Sequence, residues 1–391
     1  MPLRLDESTT LPADGFAGAL AARIWRPDLG GPSVVAVRPD GIIDLASDFP
    51  TMRDLCEAPN PAAALRAAKG ERIASLAEIL ANTPVGGRDP AKPWLLAPVD
   101  LQAIKAAGVT FAASMLERVI EERARGDLGK AASIRADMIR LIGDDLAKLK
   151  PGSPAAMRLK EALIGQGAWS QYLEVGIGPD AEIFTKSQPM AAVGHGADAG
   201  FHHESAWNNP EPEVVLAVGS AGAIVGATLG NDVNLRDVEG RSALLLGEAK
   251  DQNASCAIGP FLRLFDATFS LDDVRRFDVS VTVAGEDGFV LEGGSSISRI
   301  SRDPADLVAQ MIGASHQYPD GAVLFLGTMF APIADRDAPG KGFTHKVGDI
   351  VTVAADKLGQ LTNHMRHSRD CPPWAFGASH LMRNLADRGL I

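Results

Sequence analysis

Beyond about Gly176 the chain alternates short apolar runs with Gly, Asn and Asp: EVVLAVG, AIVGATLG, VSVTVAG, AVLFLGT and DIVTVAA. Runs of this length and β-branched content between turn formers predict strands. RRFDVSVTVAGEDGFVLEG predicts a hairpin closed around Glu286, Asp287 and Gly288. Residues 1–98 mix strand-like pieces (ARIWR, PSVVAVR, GIIDLA) with a helical run, ERIASLAEILA, in which Ile73, Leu76, Ile79 and Leu80 keep helical spacing. The Pro- and Gly-rich stretch ANTPVGGRDPAKPWLLAPVD then reads as a connector. From Asp100 to Gln166 the pattern turns helical. Ile134, Met138, Leu141 and Ile142 share one face, and Ser153 before Pro154 suits an N-cap and first turn. The expected fold class is α+β, with a small N-terminal α+β domain over 1–98 and a β-rich, mixed-sheet domain over 99–391.

Length supports two domains, because single cores stop growing near 250–300 residues and this chain has 391. No apolar stretch approaches the roughly 20 residues needed to span a bilayer, so no membrane partner is expected. The opening MPLRLDESTT lacks an apolar core and a small-residue cleavage pattern, which makes a cytoplasmic location the expectation. Cys56, Cys256 and Cys371 lack CxxC spacing, so they read as small buried hydrophobes rather than disulfides or zinc ligands. A net charge of −11 disfavours nucleic-acid binding, which depends on neutralising phosphates. It also means that an anionic substrate needs a local cationic device.

One such device is suggested by PEPEVVLAVG. In a strand, Glu211 and Glu213 face the same way, and Pro212 between them places the stretch at a sheet edge or strand entrance. The following run, AIVGATLG, leads into NDVNLRD and puts Asp232 where apolar strand gives way to polar turn. Three converging carboxylates without His or Cys suit a hard cation such as Mg²⁺. Lys250, in GEAKDQNASCAIGP, follows closely and offers charge balance or support for a substrate oxyanion. Taken singly, an ExE pair reads equally as a solvated strand end and Lys250 as a surface lysine.

The ordered set EPEVVLAVG, GNDVNLRD and K-x8-GP resembles the fumarylacetoacetate hydrolase superfamily over roughly residues 100–365. The resemblance implies that Glu211, Glu213 and Asp232 hold Mg²⁺ or Mn²⁺, with Lys250 at the family's lysine. IFTKSQP resembles the segment that puts Lys186 near the pocket, and AVLFLGTMFAP the segment that puts Gly327 and Thr328 against the substrate. AGVTFAASMLERV resembles the family's G-x-N-Y-x-x-H-x-x-E pattern, with Ser114 at the His position and Glu117 at the Glu position. Hydrolytic members activate water with that His, so Ser114 counts against hydrolysis. The short interval between Glu213 and Asp232 is similar to the branch that dehydrates 2-keto-3-deoxy sugar acids.

The resemblance therefore implies Mg²⁺-dependent dehydration of a 2-keto-3-deoxypentonate to 2,5-dioxopentanoate, without a redox cofactor. Glu117 would remove the C3 proton, with Ser114 beside it, and Lys250 would steady negative charge or protonate the departing hydroxyl. The rival within the family is a hydrolase or decarboxylase of acylpyruvate-like diketo acids, and a third possibility is a non-catalytic metal-binding module. A homodimer or homotetramer is implied by resemblance alone. His202, His203 and Glu204 read as a polar loop, and the glycine-rich GHGADAG before them as a flexible closing segment. RHSRDCPPW reads as a surface or inter-subunit segment.

Overall fold

The computed structural model describes residues 3–124, 149–165, 167, 169–332, 334–339 and 342–391. The expected face of Ile134, Met138, Leu141 and Ile142 lies outside the described residues.

The middle of the fold is the strand Pro212–Val218, buried along its whole length. Its side chains alternate between two cores, as a period of two requires. Val214, Leu216 and Val218 face a cluster with Val281, Val283, Val351 and Leu361. Val215 and Ala217 face the opposite cluster with Ile104, Ala106, Ile258 and Phe325. Each fully buried Val or Leu here contributes about 1.5–3 kcal/mol relative to exposure.

This strand lies inside an eleven-stranded mixed sheet. It pairs antiparallel with Ile224–Asp232 on one side and with Ala322–Phe325 on the other. Outward from Ile224–Asp232 come Cys256–Leu264, Ala19–Arg26, Gly31–Arg38, Gly41–Asp44 and Glu71–Ala74. Outward from Ala322–Phe325 come Ala103–Gly108, in parallel, and Glu182–Ser187. Strands from the first hundred residues thus continue the same sheet, through pairing of Ala19–Arg26 with Cys256–Leu264. A second sheet of five strands, Val290–Ser296, Asp278–Ala284, Ile350–Ala355, Gly359–His367 and Asp198–Phe201, contributes the facing residues of the first core cluster. A ribbon of Asn208–Asn209 and Asn234–Leu235 sits just before and after the central hairpin.

The strand signals beyond Gly176 correspond to strands, and the hairpin Asp278–Ala284/Val290–Ser296 turns at Glu286–Gly288. Two helical expectations differ. In ERIASLAEILA, residues Glu71–Ala74 are a strand and the helix is Leu76–Asn82. Ser75 caps it reciprocally: Glu78 N–H donates to Ser75 Oγ at 3.2 Å and Ser75 N–H donates to Glu78 Oε2 at 2.8 Å. Ile73 therefore belongs to the strand before the cap. Likewise Ala103–Gly108 is a strand: Ile104 and Ala106 are buried between neighbours on both sides, so sheet contacts override alanine's helix propensity.

The helices Ala112–Ala124, Pro154–Gly165 and Gln171–Ile177 form a separate packed unit around Met115, Val119, Leu163 and Leu173. Ser153 Oγ accepts from Ala156 N–H at 3.3 Å, as the cap expectation required. Arg302, just before the helix Pro304–Met311, holds the end of this unit by donating to the carbonyls of Val175, Gly178, Pro179 and Asp180 at 2.7–3.2 Å. GHGADAG is a buried strut rather than a flexible segment. His195 is 1% exposed and accepts from Thr362 N–H at 3.0 Å. Asn363 Nδ2 donates to the carbonyls of Gly194 and Ala197 at 2.9 and 3.0 Å. The three cysteines are buried and unpaired.

Candidate metal centre and its pocket

Register brings the acids together. Pro212 stands opposite Asn231, Glu213 opposite Gly230, and Asp232 N–H donates to Glu211 O at 3.0 Å. The sequence left an edge or a strand entrance open for this stretch. It is the entrance of an internal strand, where pairing with Ala322–Phe325 begins only at Val215, so Pro212 breaks no ladder bond on that side. Gly230 has to be glycine, since a Cβ there would come within 2.3 Å of the Phe325 ring.

Glu211, Glu213 and Asp232 are all buried, and one carboxylate oxygen from each lies within 4.8 Å of the others. Among the described residues they form the only such acidic or His/Cys group of three. A roomier cleft of about 660 Å³ lies elsewhere, beside Ser8, Asp278 and Ser295, without convergent carboxylates. Bases surround the trio. Lys250 Nζ bonds Glu211 and lies 3.1 Å from Asp232 Oδ2, and Lys186 Nζ lies 2.8 Å from Asp232 Oδ1. Lys186 is fully buried and also donates to the carbonyls of Val233, at 3.2 Å, and Lys250. Arg118 spans Glu211 at 2.9 Å and Glu239 at 2.6 Å.

These contacts set the charge states. Burial pushes the Glu213 carboxyl well above its usual range, and the charges of Asp232 and Glu211 push it further. Burial acts the same way on Asp232, yet Lys186 and Lys250 outweigh it and its pKa falls. Burial works against the Lys250 ammonium, and Asp232 and Glu211 overcome it, so the net shift is upward. Glu182, at the start of its strand, is raised to about 7 by burial and then by the charge of Glu239.

The far wall is backbone. Gly327 N–H donates to Glu213 Oε2 at 2.7 Å, and Gly327 adopts φ +85° with a would-be Cβ only 2.2 Å from Thr110 Oγ1. No side chain fits there. Thr328 lines the same pocket and is 8% exposed. Val109, also on the wall, adopts φ +54°, a conformation disfavoured for a β-branched residue and typical of functional sites.

The structure thus gathers Glu211, Glu213, Asp232, Lys186, Lys250, Gly327 and Thr328 in one place. Ser114 and Glu117 fall on the helix Ala112–Ala124, and their side chains lie outside the described ones. His202, His203 and Glu204 occupy a turn outside the pocket lining. Sequence reasoning missed Arg118, Glu182, Asn209, Arg236 and Glu239, all on the pocket wall. Two of them stand beside residues it did find: Arg118 follows Glu117, and Arg236 lies inside NDVNLRD, stacked on Trp207 at 4.4 Å.

The donor set fits a hard divalent cation: three oxygen ligands, no soft donor, and a buried Glu213 that a cation would stabilise in its ionised form.

Comparison with known proteins agrees with this architecture. Over 188 residues, 48% of this chain, it is 30% identical to the 2-dehydro-3-deoxy-D-arabinonate dehydratase of Saccharolobus solfataricus. Over 192 residues it is 29% identical to a probable 2-keto-3-deoxyxylonate dehydratase of Haloferax volcanii. The matched stretches span 59% and 62% of those two relatives. A solved structure of 2-keto-3-deoxy-D-arabinonate dehydratase complexed with magnesium and 2,5-dioxopentanoate shares the fold, with a TM-score of 0.61 at 20% identity over 89% of this chain and 99% of that one. The apo form of that enzyme gives 0.62 over the same shares, again at 20% identity. Residues 181–366 match the family model described as fumarylacetoacetate (FAA) hydrolase C-terminal.

Proposed function

We propose that this protein dehydrates a 2-keto-3-deoxypentonate, specifically 2-keto-3-deoxy-D-xylonate, to 2,5-dioxopentanoate in pentose catabolism. The observation that carries the reading is the convergence of Glu211, Glu213 and Asp232 with Lys250 in one buried pocket. The dehydratase names of the relatives in Saccharolobus and Haloferax support the reaction class.

Glu211, Glu213 and Asp232 would hold Mg²⁺, with Mn²⁺ as an alternative of similar ligand preference. When bound, such an ion supplies Lewis acidity to the oxygens of a 2-oxo acid. Loss of water requires a proton to leave C3 and the C4 hydroxyl to depart as water, which leaves a C3=C4 enone; loss of a C5 proton with return of a proton to C3 then gives the C4=C5 enol, and transfer of its hydroxyl proton to C4 gives the terminal aldehyde of 2,5-dioxopentanoate. Glu117 is proposed to take the C3 proton, with Ser114 on the same helix face. Glu182 holds a proton near neutral pH because burial and Glu239 raise it to about 7, so it is suited to donate to the departing hydroxyl. Lys250 and Lys186 offset negative charge near Asp232, and the Gly327–Thr328 backbone closes the pocket opposite them. Burial of these groups excludes water, which strengthens each interaction.

The test is to incubate purified protein and Mg²⁺ with C5 and C6 2-keto-3-deoxy acids and with diketo acids, identifying products by mass. Formation of 2,5-dioxopentanoate from the C5 acid is the expected result; cleavage of a diketo acid instead would establish the hydrolase or decarboxylase reading. Glu117→Gln should suppress solvent-deuterium exchange at C3 while leaving binding intact. A homodimer or homotetramer is proposed, to be measured by light scattering.

A further inference from the structure

Among the described residues, Asp232 Oδ1 and Glu239 Oε2 on the pocket wall lack a hydrogen bond but meet a cation, whereas the neutral acceptor of Asn209 has neither. Asn209 is 2% exposed and lines the pocket beside Glu211. Its Nδ2 donates to the Pro210 carbonyl at 2.9 Å. A carbonyl only accepts, so that bond decides which end of the amide is which. Oδ1 is therefore an acceptor, and it is buried without a hydrogen-bond partner among the described residues.

Most donors beside the trio are committed elsewhere; Arg236 stacks on Trp207, and the buried Asn231 Nδ2 has no partner among the described residues and so does not serve Asn209 either. Asn234, paired opposite Asn209 in the two-stranded ribbon, donates its Nδ2 to Glu211 at 3.1 Å. Arg118 serves Glu211 and Glu239; Lys250 serves Glu211 and Asp232; Lys186 serves Asp232. The remaining wall is rich in acceptors, with Glu182 and Glu213 beside these three acids. A buried acceptor without a donor is costly to keep, and a ligand that brings an O–H recovers that cost. A carboxylate or a ketone brings no such hydrogen.

We propose that Asn209 is a specificity-determining residue that accepts a hydrogen bond from a hydroxyl at the far end of the substrate's carbon chain. The proposal rests on the 2-oxo acid reading above. Asn209 precedes Glu211 by two residues of extended chain, roughly 7 Å, a separation comparable to the length of a five-carbon acid. The carboxylate trio holds one end of the ligand, and Asn209 reads the other. A site built around such a bond discriminates strongly against the analogue that lacks the hydroxyl, because Oδ1 is then buried unpaired.

The test uses two inert ligands, 5-hydroxy-2-oxopentanoate and 2-oxopentanoate, which differ by one terminal hydroxyl and lack the C4 leaving group. Dissociation constants are measured by calorimetry on the Mg²⁺-loaded protein. The native protein should bind the hydroxylated acid at least about tenfold more tightly. Asn209→Ala and the near-isosteric Asn209→Leu should erase that preference while keeping the affinity for 2-oxopentanoate, which also shows that the variants fold. A preference that survives in both variants overturns the proposal. So does equal loss of both ligands together with weaker binding of Mg²⁺ alone, which would assign the donor to water on the cation. If the native protein binds Mg²⁺ but neither acid, the 2-oxo acid reading itself fails and the assignment to Asn209 falls with it.

Discussion

At Asp349 both carboxylate oxygens are fully engaged: Arg336 reaches them at 2.6 and 2.7 Å, Lys346 N–H at 2.9 Å and His345 Nδ1 at 3.3 Å. Both partners of the Arg336–Asp349 pair are about 1% exposed, and the Asp349 carboxyl is lowered to about 2, with Arg336 the main force against burial. The acidic pocket buries as much charge and ends differently. Glu213 is pushed up, Glu182 sits at about 7, and Asn209 Oδ1 has no donor among the described residues. In the first cluster the carboxylate is saturated by its donors, although His345 Nε2 beside it is buried without a partner among the described residues. The other is balanced incompletely, and the imbalance is what suits it to the cation and the oxygen-rich ligand proposed for it.

The sharpest way to break this contrast is Glu213→Gln, which keeps an acceptor for Gly327 N–H and removes one charge. Mg²⁺ affinity, read by calorimetry, should fall by more than the ~10–100-fold typical of an outer partner, and turnover should vanish. The melting temperature should hold or rise, since a carboxyl opposed by two like charges is gone. Asp349→Ala should do the reverse. It strips Arg336 of its buried partner and leaves it only the partly exposed Asp287 at 3.1 Å, so urea unfolding should show a loss approaching about 3 kcal/mol, while activity per folded molecule stays the same.

A smaller effect appears in the pH dependence. Glu182 is an acid whose folded pKa, about 7, lies above its ordinary value of 4.5. Between those values the folded state binds more protons than the unfolded chain, so stability falls as pH rises from 4.5 through 7. Glu182→Gln should flatten that slope in thermal melts and remove a matching inflection from the pH–rate profile. Asp349, lowered to about 2, has the opposite sign: its stabilisation is complete above 3.8 and is lost as pH falls through 2. Smallest of all should be Lys346→Ala at the exposed rim of that cluster, where Lys346 Nζ meets Asp287 at 3.0 Å; urea unfolding should barely change.

Much of the catalytic-side chemistry was legible because it is local. The spacing of Glu211 and Glu213, the turn at Asp232 and the position of Lys250 all lie within forty residues, on or beside two paired strands and on the short helix Leu246–Lys250. Glu182 and Asn209 were not legible, since no local pattern marks them, and Arg118 was passed over although it follows Glu117. Glu182 starts an outer strand, Arg118 rides a helix packed on another cluster, and Asn209 is one of two adjacent asparagines. Local propensity also misassigned Ile73 and residues 103–108, where neighbouring strands outweighed helical spacing.

By itself the sequence determined the strand periodicity, the turns and the acidic trio, because side-chain alternation and turn chemistry act over a few residues. Tertiary structure alone decided that Ala19–Arg26 joins Cys256–Leu264 and that Lys186 reaches Asp232. It also left Asn209 Oδ1 without a donor among the described residues. Those outcomes depend on which remote surfaces pack together, and burial then sets the cost of each charge and each unmade hydrogen bond.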